Sequence, residues 1–142
     1  MTELASKPFV LDTSALLALI EDEPGAERVE ELLRSERVLL PFVTGLEVYY
    51  ITLQERSQDE ADRRLVLMRQ LPALWLDRVT GEVLVAAGRF KAQYRLSLAD
   101  ALIAGFAAEA GAVLMHKDPE YEALAASVPQ ERLPYKVAGS SG

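Results

Sequence analysis

Short apolar runs recur along the chain, each parted from the next by a stretch with helical spacing. Phe9–Leu11, Arg37–Leu40, Leu74–Leu76 and Ala112–Met115 have the length of buried strands and are too short for buried helices. A chain that leaves a strand, passes through a helix and returns to the same sheet pairs its strands in parallel. The expected fold class is α/β: a three-layer α/β/α sandwich with a short, mainly parallel central sheet.

The helices expected between these runs are Ser14–Ile20, Ala26–Arg34, Gly45–Gln54, Ser57–Leu71, Thr80 to about Tyr94, and Leu98–Ala110. Thr44, Thr80 and Ser97 carry hydroxyls suited to capping free N–H groups at helix starts, while Pro72 and Gly111 act as stops. Helical spacing puts Val29, Leu32 and Leu33 on one buried face. The same spacing selects Leu65, Leu67, Met68 and Leu71 in the fourth helix, and Val83, Leu84, Ala87 and Phe90 in the fifth. Pro119 opens a short helix to Ala126, and Leu133–Val137 is expected as a final edge strand.

A length of 142 residues suits one domain, expected over residues 1–137, with a loose start at Met1–Lys7 and a flexible small-residue tail at 138–142. The absence of cysteine excludes disulfides and thiolate chemistry. No apolar stretch is long enough to span a bilayer and no charged-then-apolar leader is visible, so a cytoplasmic location without a membrane partner is expected. The net charge of -7 argues against binding nucleic acid by electrostatics alone. The charge is uneven, however: residues 1–62 carry 5 basic and 14 acidic side chains, residues 63–142 carry 10 basic and 8 acidic. A polyanion can approach the second part, particularly through a metal.

Acids interrupt the apolar pattern at informative places. Asp12 follows the first strand directly, and Asp118 follows the fourth after His116 and Lys117. Glu47 and Asp100 lie in otherwise apolar segments, each expected in the first turn of its helix. Taken singly, each could stabilise a helix N-terminus. Together they are harder to explain that way, because strand C-termini of a parallel sheet converge on one edge. Clustered carboxylates repel one another and favour a cation between them. All-oxygen ligands with no cysteine and one histidine suit Mg²⁺ or Mn²⁺ better than zinc. Such a site is suited to phosphodiester hydrolysis without a protein nucleophile.

Val10-Leu11-Asp12-Thr13-Ser14-Ala15-Leu16-Leu17, Glu47 in a helix, Leu98-Ala99-Asp100-Ala101-Leu102-Ile103-Ala104, and Val113-Leu114-Met115-His116-Lys117-Asp118 resemble the PIN-domain ribonucleases. Within that family the chain is similar to the VapC-type toxins of bacterial and archaeal toxin–antitoxin pairs, from about Phe9 to Val137. The resemblance implies a metal-dependent endoribonuclease with Asp12, Glu47, Asp100 and Asp118 as its catalytic and metal-binding acids. It places Ser14 beside them and implies an RNA substrate, a cognate antitoxin that occludes the site, and a homodimer with Tyr49 and Tyr50 at its contact. The chain departs from the family pattern at His116, which stands where a Thr or Ser is usual; a role behind the metal ligands is favoured over direct ligation. Arg95 and Lys117 are candidates for phosphate contact. Arg89 and Lys91 read as a solvated helix face, and Trp75 as a core residue.

Two other readings remain open at this stage. One is a PIN-fold nuclease of RNA processing outside a toxin pair, the other a degenerate PIN domain that binds RNA or protein without cleavage. A phosphoryl-transfer enzyme of the haloacid-dehalogenase type is set aside, because it needs a second Asp two residues after the first and the chain has Ser14 there.

Overall fold

The computed structural model describes residues 6–135; residues of the expected N-terminal start and of the tail beyond 135 lie outside the described residues. Among the described residues, five strands form one sheet: β1 (Phe9–Leu11), β2 (Val38–Pro41), β3 (Leu74–Leu76), β4 (Val113–His116) and β5 (Gln130–Arg132). Their order is β3-β2-β1-β4-β5, and every neighbouring pair is parallel. Six helices of the described residues pack around it: α1 (Thr13–Ile20), α2 (Ala26–Ser35), α3 (Phe42–Glu55), α4 (Gln58–Gln70), α5 (Gly81–Gln93) and α6 (Leu98–Ala110). A 3-10 turn spans Pro119–Leu124.

Both faces of the sheet are covered, which is why β1 to β4 read as short, mostly apolar runs. Val10 and Leu114 point into a core built with Val83 and Phe90 of α5 and Ile103 and Phe106 of α6. Leu11, Leu40 and Met115 point the other way, onto Leu16 of α1, Leu32 of α2, Val48 of α3 and Met68 of α4. The result is the three-layer sandwich expected. α6 crosses α5 at close range at Gly105, where an added Cβ would come within 3.0 Å of the Ala87 backbone nitrogen. Gly111 ends α6 in the left-handed conformation at φ 61°, and Ser97 caps its start by accepting from the Asp100 backbone N–H.

Four local expectations are corrected. α3 begins at Phe42, so Thr44 is inside the helix and not its cap; its hydroxyl donates to the Leu11 carbonyl at 2.9 Å, tying α3 to the end of β1. Glu47 therefore sits in the second turn of α3. The last strand is Gln130–Arg132, earlier and more polar than Leu133–Val137, because an edge strand pairs through its backbone and needs no apolar side chains. Leu84 is 63 % exposed and Leu67 40 %, while Arg64 on α4 is 4 % exposed. In α4 an ion-pair network makes burial of a charged residue tolerable, which hydropathy cannot foresee.

Candidate metal centre

The order of strands reverses between β1 and β4, so the loops leaving their C-terminal ends diverge and open a crevice there. Asp12 leaves β1 into this crevice directly after Leu11, and Asp118 enters it after β4, whose Met115 pairs in register with Leu11. The N-terminus of α6 delivers Asp100 to the same place.

Asp12 is 2 % exposed and caps α1. One oxygen accepts from the Ala15 backbone N–H at 2.8 Å, and the Ser14 hydroxyl lies 2.7 and 2.8 Å from its two oxygens. Ser14 Oγ also accepts from the Lys117 backbone N–H at 2.8 Å, fastening the turn after β4 to the turn after β1. Despite these bonds, burial pushes the Asp12 carboxyl up to about 7, and the nearby charge of Asp100 adds to the effect.

Asp100 is half-buried and also pushed up to about 7, first by burial and then by the charges of Asp118 and Glu47. The Tyr121 hydroxyl donates to Asp100 Oδ1 at 3.0 Å and opposes that rise. Glu47 is aimed by Thr13, whose hydroxyl donates to its Oε1 at 2.5 Å. Asp118 caps the 3-10 turn through Oδ1, which accepts from the Glu120 backbone N–H at 2.9 Å. Asp100 links the four expected acids: the charges of Asp118 and Glu47 act on it, and its own charge acts on Asp12. They are not equally close. Carboxylate oxygens of Asp100, Asp118 and Glu120 lie within 4.8 Å of one another, while Asp12 and Glu47 stand outside that tight group.

Glu120 and Tyr121 escaped sequence reasoning. The available signal was Pro119 at a helix start with an acid directly after it, a position beside Asp118 in space as well as in sequence. Tyr121 is fully buried, and its bond to Asp100 has no trace in local sequence.

His116 is buried, and both ring nitrogens are occupied. Nδ1 accepts from the Asp118 backbone N–H at 3.0 Å, so the proton is on Nε2, which donates to Gln130 Oε1 at 2.8 Å. Gln130 Nε2 in turn donates to the Tyr121 carbonyl at 2.6 Å. Burial lowers the pKa of the ring and favours this neutral form. His116 holds the Asp118 turn and has no nitrogen left for a metal.

Lys117 does not reach outward: its ammonium donates to the Pro24 carbonyl at 3.1 Å and lies 3.5 Å from Glu23. With its side chain 4 % exposed it is a tether between loops, which corrects the expected phosphate contact. Arg95 is exposed. Glu21 and Glu23 serve as ion-pair partners, Glu21 to Arg56 and Arg64 and Glu23 to Lys117. Tyr49 donates to Asp62 at 2.6 Å, Tyr50 lies 3.4 Å from Glu47, and Trp75 packs on the core under the Arg69 guanidinium.

A divalent cation fits this donor set. The carboxylates are hard oxygen ligands, and burial with mutual repulsion pushes two of them up to about 7, a cost of ionisation that a bound cation removes. The sequence profile of the PIN domain matches residues 9–127.

The chain belongs to the PIN-domain family.

Among solved structures, this PIN domain is similar to VapBC2 from Rickettsia felis bound to a DNA fragment from its promoter, with a TM-score of 0.74 and 13 % identity over 89 % of this chain and 99 % of that one. VapBC-1 from nontypeable Haemophilus influenzae gives a TM-score of 0.70 and 21 % identity over 88 % and 97 % of the two chains. VapC20 from Mycobacterium tuberculosis, described as a Sarcin-Ricin loop cleaving toxin, gives 0.69 and 16 % over 89 % and 99 %. At these identities the likeness is one of fold. No curated protein matches the chain in sequence. Among the described residues, no helix is long and apolar enough to cross a membrane.

Proposed function

We propose that this PIN domain is a metal-dependent endoribonuclease and the toxin of a type II toxin–antitoxin pair. The observation that carries the proposal is Asp12: a carboxyl 2 % exposed, held by two hydrogen-bond donors at the crevice between β1 and β4, within reach of the charge of Asp100. A buried acid of this kind destabilises the fold unless it binds something positive. Asp12, Glu47, Asp100 and Asp118 are the ligands proposed, with Glu120 completing the group near Asp118. Bound there, Mg²⁺ or Mn²⁺ would supply charge neutralisation for a phosphodiester and acidify a water molecule.

The chain's own residues do the aiming. Ser14 orients Asp12 and ties it to the β4 turn, Thr13 orients Glu47, and Tyr121 orients Asp100. The hydroxyls of Ser14 and Tyr121 favour the ionised forms of Asp12 and Asp100 that binding requires. His116 sets the Asp118 turn from behind. Arg95 is proposed to contact RNA phosphate. The toxin assignment is supported by the shared fold of VapBC proteins, and it brings an antitoxin as partner and a homodimer as assembly.

The deciding experiment is cleavage of structured RNAs with Mg²⁺ or Mn²⁺, with and without chelator. Cleavage is expected only with metal, and is expected to vanish in Asp12→Asn and Asp100→Asn. RNA cleavage that persists in chelator, or in Asp12→Asn, refutes the proposal. Growth arrest on expression, relieved by the gene immediately upstream, tests the toxin assignment separately.

A further inference from the structure

A cavity of about 500 Å³ opens directly beside the metal centre, between α1, α3 and α4 and the turn after β4. Ser14, which touches Asp12, forms part of its wall, as does Pro119 next to Asp118. Its volume is in the range of small-molecule clefts. Leu17, Ile51 and Tyr135 supply apolar and aromatic surface.

Charge decides what kind of group this cavity suits. Its cations are already neutralised: Arg64 pairs with Glu60 at 2.8 Å and Glu21 at 3.2 Å, Arg56 with Glu21 at 3.2 Å, and Lys117 with Glu23. The phosphate-binding alternative needs surplus positive charge, and the wall has none to spare. A neutral, planar group with donors and acceptors on its rim fits better. Hydrogen-bonding capacity for it remains. The Arg64 guanidinium has five N–H donors, and its described bonds to Glu60, Thr52 and Glu21 use three. Glu55, exposed at the cavity wall, offers acceptor oxygens and makes no hydrogen bond or ion pair among the described residues.

We propose that this cavity receives the base of the RNA nucleotide adjoining the cleaved phosphodiester. The inference rests on the ribonuclease function proposed above. It makes the cleaved segment single-stranded, because a base held in the cavity cannot stay paired. It also makes Ile51 and Arg64 substrate-binding residues with no part in holding the metal.

The isoleucines of the chain, Ile20, Ile51 and Ile103, make a direct test possible. Ile51 lines the cavity, whereas Ile103 is fully buried in the core on the other face of the sheet. With isoleucine methyl groups labelled, AMP, GMP, CMP and UMP are titrated to millimolar concentration in chelator. At least one is expected to move the Ile51 methyl resonance to saturation, with Ile103 unmoved and ribose 5-phosphate without effect. An Ile51 resonance unmoved by all four nucleotides, or moved equally by ribose 5-phosphate, overturns the proposal; the first outcome leaves the cavity to a protein side chain. In cleavage assays, Ile51→Trp fills the cavity and is expected to raise KM for single-stranded RNA on the order of tenfold, the scale of one lost base contact. The variant should then be indifferent to an abasic nucleotide beside the cut, while its Mn²⁺ binding matches wild type. Unchanged KM in that variant also overturns the proposal. Wild-type protein that cleaves no RNA refutes the ribonuclease function, whereas the Ile51 shift decides the cavity without any turnover.

Discussion

Replacing Asp12 by Asn should stabilise the metal-free protein, and the gain should depend on pH in a defined direction. The carboxyl titrates at about 7 in the fold and near 3.8 when exposed. Below the lower value both states are protonated and Asp12 contributes no difference. As pH rises from there to about 7, the unfolded chain has released the proton and the folded one still holds it, so stability falls. Above pH 7 the penalty is complete at ~4 kcal/mol. Asn keeps an acceptor for the Ala15 N–H and carries no charge, so after its own burial cost the expected gain at pH 8 is ~2–4 kcal/mol. For a chain of this size that is roughly 7–13 °C in Tm.

The assay is thermal unfolding of wild type and Asp12→Asn in chelator at pH 5 and pH 8. The difference between the proteins is what matters, because His116 pulls the other way. Its pKa is lowered by burial, so its contribution to stability is lost as pH falls through the ordinary histidine range, equally in both proteins. Expected are a small difference at pH 5 and a clear advantage for Asp12→Asn at pH 8. Mn²⁺ should then raise the Tm of wild type and leave the variant where it is. An Asp12→Asn protein no more stable than wild type at pH 8 would show that burial does not strain this carboxyl, and the case for a metal site would lose its main support.

Thr13→Val removes the donor that aims Glu47 and should weaken Mn²⁺ binding about tenfold by calorimetry; the same change in a Glu47→Gln background should do nothing further, and an equal loss there would show that Thr13 acts elsewhere. Gly105→Val pushes a side chain against the α5 backbone and should cost about 1–3 kcal/mol or more in urea unfolding; a variant as stable as wild type would mean that the helices separate freely. Arg64→Met strips Glu21, Glu60 and Thr52 of their shared partner, and because both carboxylates keep some solvent the expected loss is about 1–3 kcal/mol. Stability equal to wild type would show the buried network to be replaceable by apolar packing.

Local chemistry was enough to place much of this molecule. The limits of α6 follow from Ser97 and Gly111, those of α4 and α5 begin at Ser57 and Thr80, and the apolar strands announce a sheet buried on both faces. Asp12, Asp100 and Asp118 were legible because each stands at a strand end or helix start that parallel topology brings to one edge. These signals lie within a few residues of the feature they specify.

What lay beyond such reach depended on partners far along the chain. Thr44 looks like a cap and instead bonds a carbonyl 33 positions away. Thr13 meets Glu47 across 34 positions, and the Lys117 backbone meets Ser14 across 103. The sequence favours a role behind the metal ligands for His116, but only the fold supplies its partners, Asp118 and Gln130, one on each nitrogen. Arg64 is buried because Glu21, from a distant loop, arrives to pair with it. A propensity or a hydrophobic period is a property of a short segment and survives without the rest of the protein. The aim of a carboxylate, the tautomer of a ring and the burial of a charge are set by groups that meet only when the sheet closes, and no local pattern encodes them.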